Sequence, residues 1–304
     1  MSTHGLLSKA QSASRSIGAI LIDHGRLDPA DAERILRLQE AEGLKFGDAA
    51  IQLGLLTKAD ILYALSVQFD HPYLPSNQRH RLSDDLVAAY RPFSKEGVQI
   101  RTLRSQLQMR LFDESKRCVS LAVVSPSRGE GRSYLAANLA VAFAQAGERT
   151  LLIDGDMREP VQHKLFNLVN GSGLSRLLAG HMGDRVVNFV PEIPGLGVLT
   201  AGPTPPNTME LLGRQGFEAI LANCMSSFGM VVIDTPAMDT GPDAELLSRF
   251  AGASIALART NLTRMTDFTD MVEKLRACGT QVVGSVLVDA PPASRKRSQR
   301  EGSE

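Results

Sequence analysis

A row of short apolar segments in the second half of the chain constrains the fold more than any other feature. Stretches with helical spacing separate these segments, which are 119–124, 150–153, 196–199, 230–233, 254–257 and 282–288. Strands that are apolar on both faces and alternate with helices are typical of a parallel sheet covered by helices on both sides. The sequence therefore predicts an α/β fold built on a doubly wound, mostly parallel sheet.

The loop after the first segment, SPSRGEGRS, has the composition of a phosphate-binding loop between a strand and a helix. Gly129 and Gly131 let backbone N–H groups turn inward, and a helix predicted to begin near Gly131 adds its positive end. In the pattern GxxxxGK[ST], Pro126 replaces the first glycine, Arg132 replaces the lysine, and Ser133 keeps the hydroxyl for Mg²⁺. A glycine-rich turn that binds nothing is the alternative interpretation of this loop alone.

Arginine at position 132 keeps the charge of the usual lysine but changes its shape. A lysine presents a compact ammonium to the phosphates, whereas the planar guanidinium is larger and prefers two-pronged contacts. We expect nucleotide binding to survive this change. We expect the placement of the transition state to suffer, because a shift of about 1 Å can cost roughly 100-fold in rate.

Three carboxylates follow two of the apolar segments. Asp154 and Asp156 end the stretch LLIDGD, and Asp234 ends the stretch VVID. The carboxyl ends of parallel strands meet at the sheet edge where ligands bind in such folds. Each aspartate taken alone also suits the N-cap of a following helix. Together with the loop, they predict a site for Mg²⁺ and a nucleotide.

Several stretches resemble one family of bacterial enzymes. They are SRGEGRSYLAANLA (127–140), LLIDGDMREP (151–160), GLSRLLAG (173–180), AGPTPPNTMELL (201–212), VVIDTPA (231–237) and an ART…T segment (258–263). On these motifs, residues 94–290 resemble the bacterial tyrosine autokinases of capsule and exopolysaccharide synthesis, within the class of MinD/ParA-type P-loop ATPases. The resemblance implies a P-loop fold, ATP and Mg²⁺ as cofactors, and transfer of the γ-phosphoryl group of ATP to tyrosine.

The resemblance also assigns roles to individual residues. The implied nucleotide-binding residues are Ser127, Arg128, Gly129, Glu130, Gly131, Arg132, Ser133, Tyr134 and Arg259, the last beside the base. The implied catalytic residues are Arg132, Asp154 and Asp156, the two aspartates by positioning the metal and activating the tyrosine hydroxyl. The implied metal ligands are Ser133, Asp154 and Asp234, with Asp234 acting through water.

The chain departs from the family pattern at several positions. Ser127 stands where MinD-type ATPases carry a second lysine, which argues against that branch, and Arg128 stands where these kinases usually have proline. The family's ring-assembly motif ExxRxxR is reduced here to Val98, Arg101 and Arg104. Assembly of several copies of the chain into a homo-oligomer is therefore one of the alternatives.

The tyrosines of the chain are few and none lies in the C-terminal tail, where such kinases carry a cluster phosphorylated in trans. They are Tyr63, Tyr73, Tyr90 and Tyr134. This pattern favours a kinase whose substrate tyrosines lie on a partner, which the resemblance implies to be a membrane-embedded polysaccharide chain-length determinant (copolymerase). Two alternatives stay open: a nucleotide-binding regulator of the polysaccharide export machinery with little or no transfer, and a MinD-like ATPase.

The N-terminal part contains an internal repeat, because residues 16–39 align with residues 45–68 at an offset of 29. In each copy, a short helix is predicted to end at a glycine that needs positive φ, Gly25 or Gly54. A second helix then starts at an N-cap, Asp28 or Thr57. The repeat predicts a small all-α domain.

This repeat resembles the N-terminal domain of type II secretion and pilus ATPases, and its pairing with a kinase-like domain resembles the EpsG-type kinases that work with a chain-length determinant. In related secretion ATPases, tandem repeats that begin with the motif RLGxxL can bind cyclic di-GMP, and the leading arginine of the motif is missing from both copies here. Here Arg15 stands one residue earlier than expected, and Lys45 keeps the charge of the second copy. Docking of a protein partner is the favoured alternative to cyclic di-GMP binding.

Composition bounds the class of protein. The chain of 304 residues carries 33 Lys and Arg against 33 Asp and Glu, so no net field favours nucleic acid as the main partner. The expected organisation is a flexible N-terminus (1–14), the helical repeat (15–75), a linker (76–93), the P-loop domain (94–290) and a disordered basic tail (291–304). With no apolar leader or membrane span expected, we predict a cytoplasmic protein that reaches the inner face of the plasma membrane through a partner.

Overall fold

The helical repeat forms four helices around its own apolar core. The structure, a computed structural model, describes residues 16–68, 74, 81–112, 118–181, 186–213 and 216–289. The four helices are α1 (Ile17–Asp23), α2 (Pro29–Glu42), α3 (Phe46–Gln52) and α4 (Lys58–Gln68). Gly25 and Gly54 end the first helix of each copy with φ of +64° and +66°, which confirms that prediction.

The predicted starts of the second helices are also confirmed. The Asp28 carboxylate accepts a hydrogen bond from Ala30 N at 2.8 Å, so it caps α2. At the start of α4, Thr57 Oγ1 accepts from Asp60 N at 3.3 Å and Asp60 Oδ2 accepts from Thr57 N at 3.0 Å. This reciprocal pair is a capping box, which fixes where the helix begins.

Seven strands form one sheet. They are β1 (Val119–Val124), β2 (Thr150–Asp154), β3 (Val187–Phe189), β4 (Leu196–Leu199), β5 (Met230–Asp234), β6 (Ala253–Arg259) and β7 (Gln281–Val288). Their order is β3-β4-β2-β5-β1-β6-β7, and every pairing is parallel except that of β3 with β4. The predicted α/β fold with a mostly parallel sheet is confirmed, and the six predicted strands occur with ends shifted by at most two residues.

Helices cover both faces of the sheet. They are α5 (Val87–Tyr90), α6 (Lys95–Leu111), α7 (Arg132–Gln145), α8 (Gln162–Leu165), α9 (Leu174–Leu178), α10 (Thr208–Gly213), α11 (Gly216–Ser227), α12 (Asp243–Ala251) and α13 (Met265–Ala277). Side chains alternate along β1: Leu121 and Val123 join the core formed with α5–α7, while Ala122 and Val124 join the core formed with α9–α13. This double burial is why the strands are apolar at successive positions.

Residues 81–93 differ from the linker predicted for 76–93. Leu82, Leu86 and Tyr90 are buried in the core shared with α6 and α7. Asn138 of α7, which is fully buried, accepts a hydrogen bond from Ala88 N at 2.9 Å. The segment has weak periodicity because its only helix, α5, has four residues, yet its apolar side chains pack into the sheet domain. Residues 76–80 and both predicted flexible termini lie outside the described residues.

Within the part of the chain that the structure describes, no helix combines the length and apolar character needed to cross a lipid bilayer.

Candidate nucleotide and magnesium site

The glycine-rich loop lies between β1 and α7, as predicted, and α7 starts at Arg132 with Gly131 as its N-cap. Gly129 and Gly131 have φ of +77° and +100°, a region that favours glycine over any residue with a side chain. The loop therefore takes its shape from backbone that only glycine adopts readily. Backbone N–H groups and the start of α7 provide a site for an anion.

A second segment holds the loop in place through Glu130 and Arg259. The Glu130 side chain is 1% exposed and accepts hydrogen bonds from Ser127 N at 2.9 Å and from the Thr263 hydroxyl. Arg259, which ends β6, donates through Nη1 to Gly129 O at 2.6 Å. Both residues were assigned to the nucleotide by resemblance. In the structure, their side chains fix the loop to the segment after β6.

The buried side chain of Arg132 holds the loop in place through hydrogen bonds. Its side chain is 8% exposed; Nε donates to Thr235 O at 3.0 Å and Nη1 donates to Ser127 O at 2.6 Å and to the Ser125 hydroxyl. These three bonds connect the loop to the residue that follows β5. Among the described residues, nothing accepts a hydrogen bond from Nη2, so its two N–H donors are available to a phosphate.

The remaining loop residues differ in how close their side chains come to the site. Arg128 is exposed and forms an ion pair with Glu159. Tyr134 packs against the core shared with α5–α7, where burial and the charge of Glu96 raise the pKa of its hydroxyl. The structure therefore leaves only backbone atoms of Tyr134 to the predicted phosphate cradle.

Asp154 and Asp234 form a buried carboxylate pair. They are register partners on the neighbouring strands β2 and β5, and neither is exposed. Asp154 Oδ2 accepts from Val161 N at 3.2 Å and from Gln162 N at 3.0 Å, and Asp234 Oδ2 accepts from Gln162 Nε2 at 2.8 Å. The Oδ1 atom of each is buried without a hydrogen-bond partner among the described residues. The structure brings these two residues together at one sheet edge, and their role as metal ligands stays a prediction.

The close approach of the two strand ends requires a glycine between the carboxylates of the IDGD stretch. Gly155 N donates to Asp234 O at 2.9 Å, and a Cβ atom at Gly155 would lie 2.6 Å from the same oxygen. No side chain fits there, so Gly155 brings β2 and β5 together where the carboxylates lie.

The electrostatics of the pair favour a cation. Burial, and then the neighbouring charge of Asp234, hold the pKa of Asp154 well above its ordinary value. Burial also raises the pKa of Asp234 to about 6, although the hydrogen bond from Gln162 and the neighbouring Ser133 hydroxyl oppose the shift. Two carboxylates in one buried site resist ionisation unless a positive charge joins them.

The donor set fits Mg²⁺ bound together with phosphates. Asp154, Asp234 and the Ser133 hydroxyl supply oxygen atoms only. Mg²⁺ usually takes one or two carboxylates and completes its shell with water and phosphate. Over the described ranges, no group of three or more His, Cys, Asp or Glu side chains is placed to hold a metal ion.

Asp156 lies at the edge of the site. It is half-buried, and its Oδ1 accepts from Glu159 N at 2.9 Å and from Arg158 N at 3.2 Å. Its charge contributes to the raised pKa of Asp154. The structure thus brings Asp156 near the buried pair but gives it a role in the turn after β2, and its catalytic role stays a prediction.

Gln162 belongs to the site and was missed by the sequence analysis. It is fully buried, and its Nε2 donates to Ser133 O at 3.0 Å and to Asp234 Oδ2 at 2.8 Å. No motif marks it, since it follows Asp154 by eight residues in an ordinary stretch of sequence. A glutamine at the start of a short helix after the predicted metal residues was the only available signal.

Comparisons with known proteins place this geometry in a family. No family model matches the chain. It is 32% identical over 214 residues to tyrosine-protein kinase YwqD of Bacillus subtilis, an alignment that covers 70% of this chain and 90% of YwqD. The kinase domain of the Escherichia coli tyrosine kinase ETK superposes with a TM-score of 0.65 and 27% identity, over 75% of this chain and 86% of the domain.

A more distant structure shares the fold alone. The septum site-determining protein MinD of Pyrococcus horikoshii, solved with Mg-ADP, gives a TM-score of 0.50 at 19% identity over 56% of this chain and 70% of MinD. The fold is therefore that of the MinD-like P-loop proteins. Within that class, the chain belongs to the family of bacterial tyrosine-protein kinases, and protein-tyrosine kinase is its enzyme class. The expected resemblance is confirmed.

Proposed function

We propose that this chain transfers the γ-phosphoryl group of ATP to tyrosine hydroxyls, with Mg²⁺ held at Asp154, Asp234 and Ser133. The observation that carries the proposal is the buried carboxylate pair, which keeps two unpartnered oxygens beside the start of α7. An anion-binding loop and a cation site in contact with each other suit a Mg²⁺–nucleotide complex better than either ligand alone. The complexed MinD of the same fold is consistent with this proposal.

Different groups are proposed to bind the phosphates, to neutralise charge and to accept the proton. Backbone N–H groups of the loop, with Gly129 and Gly131 at its turns, and the first turn of α7 bind the phosphates. The Nη2 donors of Arg132 contact a phosphate oxygen while Nε and Nη1 keep the loop closed. Mg²⁺, when bound, neutralises charge that develops on the transferring group. Asp156, at the edge of the site, is proposed to accept the proton of the attacking tyrosine.

The acceptor tyrosines are proposed to lie on another protein. Tyr90 is buried and its hydroxyl donates to Leu82 O at 3.0 Å. Tyr63 lies under the guanidinium of Arg26, 4.1 Å from the ring centroid, and Tyr134 packs against the core. Among the residues that the structure covers, no tyrosine is exposed; Tyr73 lies outside them.

The partner is proposed to be a membrane-embedded chain-length determinant of polysaccharide export, which would hold the chain at the inner face of the membrane. The helical repeat is proposed to dock a protein of this machinery. The cyclic di-GMP alternative would place Gly18 next to the ligand. In the structure, Gly18 lies against Phe46, the first residue of α3. A Cβ there would be 3.1 Å from the Phe46 ring, so packing alone explains the glycine. Titration of the whole chain with cyclic di-GMP separates the two proposals, since binding would overturn the docking role alone.

A homo-oligomer through α6 is also proposed from the family resemblance. Arg101 of α6 lies 5.1 Å from the ring centroid of Phe93, and Arg104 has a buried Nε with no partner among the described residues. Val98, which takes the place of the family's glutamate, is 44% exposed on the same helix. Light scattering of the purified chain with and without Mg-ATP tests this assembly, and a monomer in both conditions overturns it.

A transfer assay tests the central proposal. Purified chain is incubated with labelled ATP and a glutamate–tyrosine copolymer, in Mg²⁺ or in EDTA. We expect phosphotyrosine on the copolymer only with Mg²⁺, and a loss of at least about 100-fold in Asp234→Asn. The nucleotide-binding regulator is the alternative outcome. ATP binding without phosphotyrosine, also with the chain-length determinant present, would establish it and overturn the kinase proposal.

A further inference from the structure

We propose that Gln162 is a positioning residue of the magnesium site, holding the Asp234 carboxylate and the start of α7 in the arrangement that binds Mg²⁺. This inference rests on the proposed function, because it assigns a residue to the same metal. Gln162 does not act on the reacting atoms. It acts through the two carboxylates and Ser133.

One side chain joins the parts of the site that come from different elements. The Gln162 amide Nε2 uses both hydrogens, one for Ser133 O on α7 at 3.0 Å and one for Asp234 Oδ2 on β5 at 2.8 Å. Its backbone N–H binds Asp154 Oδ2 on β2 at 3.0 Å. A change in its position would move all three candidate metal ligands relative to one another.

The hydrogen bonds of Gln162 select which carboxylate oxygens are left for a cation. The bonded oxygens are Oδ2 of both Asp154 and Asp234, and the buried oxygens without partners are their Oδ1 atoms. Fixing one oxygen of a carboxylate orients the other, as outer hydrogen-bond partners do in metal sites. The two hydrogen bonds from Gln162 to the carboxylates therefore help to determine where Asp154 Oδ1 and Asp234 Oδ1 lie.

The chemistry of an amide suits this task better than a charged side chain. A lysine at position 162 would neutralise the Asp234 carboxylate and compete with Mg²⁺, whereas a neutral amide donates to the carboxylate and leaves its negative charge in place. The Gln162 amide oxygen Oε1 is buried and has no hydrogen-bond partner among the described residues. A buried acceptor without a donor is costly, and a water molecule on the metal would supply one.

A purely structural role for Gln162, as part of the short helix α8, makes a different prediction from a positioning role. A structural glutamine would change stability and leave Mg²⁺ affinity alone. Gln145 offers the matched control, because it is a buried glutamine of α7 whose Nε2 donates to Ala88 O at 3.0 Å, on the opposite end of the helix from the loop.

The experiment measures binding of a fluorescent ADP analogue to the whole chain, in EDTA and across a Mg²⁺ titration, for wild type, Gln162→Met and Gln145→Met. We expect Gln162→Met to raise the half-saturating Mg²⁺ concentration about 10- to 100-fold, with affinity in EDTA unchanged within about twofold. Gln145→Met is expected to lower the melting temperature without moving the Mg²⁺ titration.

Three outcomes decide the proposal. Equal Mg²⁺ titrations for wild type and Gln162→Met overturn it while leaving the proposed function intact. A wild-type chain whose nucleotide binding ignores Mg²⁺ overturns both. Where Gln162→Met fails to fold, Gln162→Asn carries the test: it keeps a buried amide but is shorter by one methylene, and a shift of less than about threefold in the Mg²⁺ titration would overturn the proposal.

Discussion

Arginine at position 132, in place of the usual lysine, holds the phosphate-binding loop and at the same time limits how freely its charge can contact a phosphate. Its Nε and Nη1 atoms reach acceptors on two segments, Ser127 in the loop and Thr235 after β5. A lysine has one nitrogen at the end of a flexible stem and cannot span both places. The arginine therefore stabilises the loop, and the same bonds restrain the charge that would follow a phosphoryl group during transfer.

The variant Arg132→Lys tests this account. We expect the free energy of unfolding to fall by about 1–3 kcal/mol, because buried hydrogen bonds from a charged donor are lost. Nucleotide affinity should stay within about threefold, and phosphoryl transfer should rise about tenfold, because the ammonium is less restrained. Urea unfolding and labelled-ATP transfer measure both. Arg128→Lys is the control, since its exposed ion pair with Glu159 contributes at most about 1 kcal/mol; equal stability of the two variants would contradict the bracing role.

The buried pair makes stability depend on pH in a predictable direction. The pKa of Asp234 rises from 3.8 to about 6 on folding, chiefly through burial. Below about pH 3 the carboxyl is protonated in both the folded and the unfolded chain. Between about pH 4 and pH 6, the carboxyl is ionised in the unfolded chain but stays largely protonated in the folded chain. The free energy of unfolding therefore falls as the pH rises, on the order of 3 kcal/mol in total.

We therefore expect Asp234→Asn to be more stable than wild type in EDTA, with a difference that grows from about pH 4 to about pH 7 and then levels. Thermal unfolding across this range measures it. Asp239→Asn is the control, because that exposed carboxylate is solvated whether the chain is folded or unfolded. A constant difference between Asp234→Asn and wild type at every pH would show that the carboxylate is not strained by burial.

At the level of elements, the loop depends on the segment after β6 as much as on its own glycines. Glu130, almost fully buried, accepts from Thr263 at one end of this contact, and Arg259 donates to Gly129 at the other. The contact ties the phosphate loop to the segment where the family resemblance places the base. Movement of either segment is expected to change the other.

The variant Thr263→Val removes the hydroxyl from this contact. We expect nucleotide affinity to fall about five- to tenfold, because the buried Glu130 side chain loses the hydrogen bond that Thr263 donates and the loop loosens. Thr260→Val is the matched control, since that hydroxyl donates to Asp289 on the exposed side of the same segment, at 3.0 Å. Calorimetric titration with ADP measures both variants. Equal affinities would mean that the glycines alone shape the loop.

Strand length decided which strands could be predicted from the sequence. The six predicted strands are apolar runs of four or more residues, β7 among them although most of its side chains are half-buried or exposed, whereas β3 is a three-residue edge strand with two half-buried side chains and one exposed. The carboxylates Asp154 and Asp234 were found because strand ends converge at one edge of a parallel sheet. Gln162 and the bracing bonds of Arg132 depend on side-chain contacts between distant segments, and one sequence carries no periodic signal for these.

At the scale of the whole molecule, three sets of buried residues share no member. One fills the helical repeat, with Leu21 and Ile35 at its centre, and the others fill the two faces of the sheet. The segment 81–93 belongs to the sheet, because Leu86 and Tyr90 lie in the core formed with α6 and α7. We therefore propose that the catalytic unit starts near residue 81, earlier than the predicted boundary at 94.

Two truncated chains test this boundary. A chain starting at residue 81 should bind ADP as tightly as the full chain. A chain starting at 94 loses the buried Leu82, Leu86, Val87 and Tyr90. At about 1.5–3 kcal/mol for each buried side chain, that loss approaches the 5–15 kcal/mol that stabilises a typical domain, so the shorter chain should unfold or aggregate. Circular dichroism and ADP binding measure both. A stable, ADP-binding chain from residue 94 would restore 76–93 as a linker, because α6 and α7 would then hold the sheet without it.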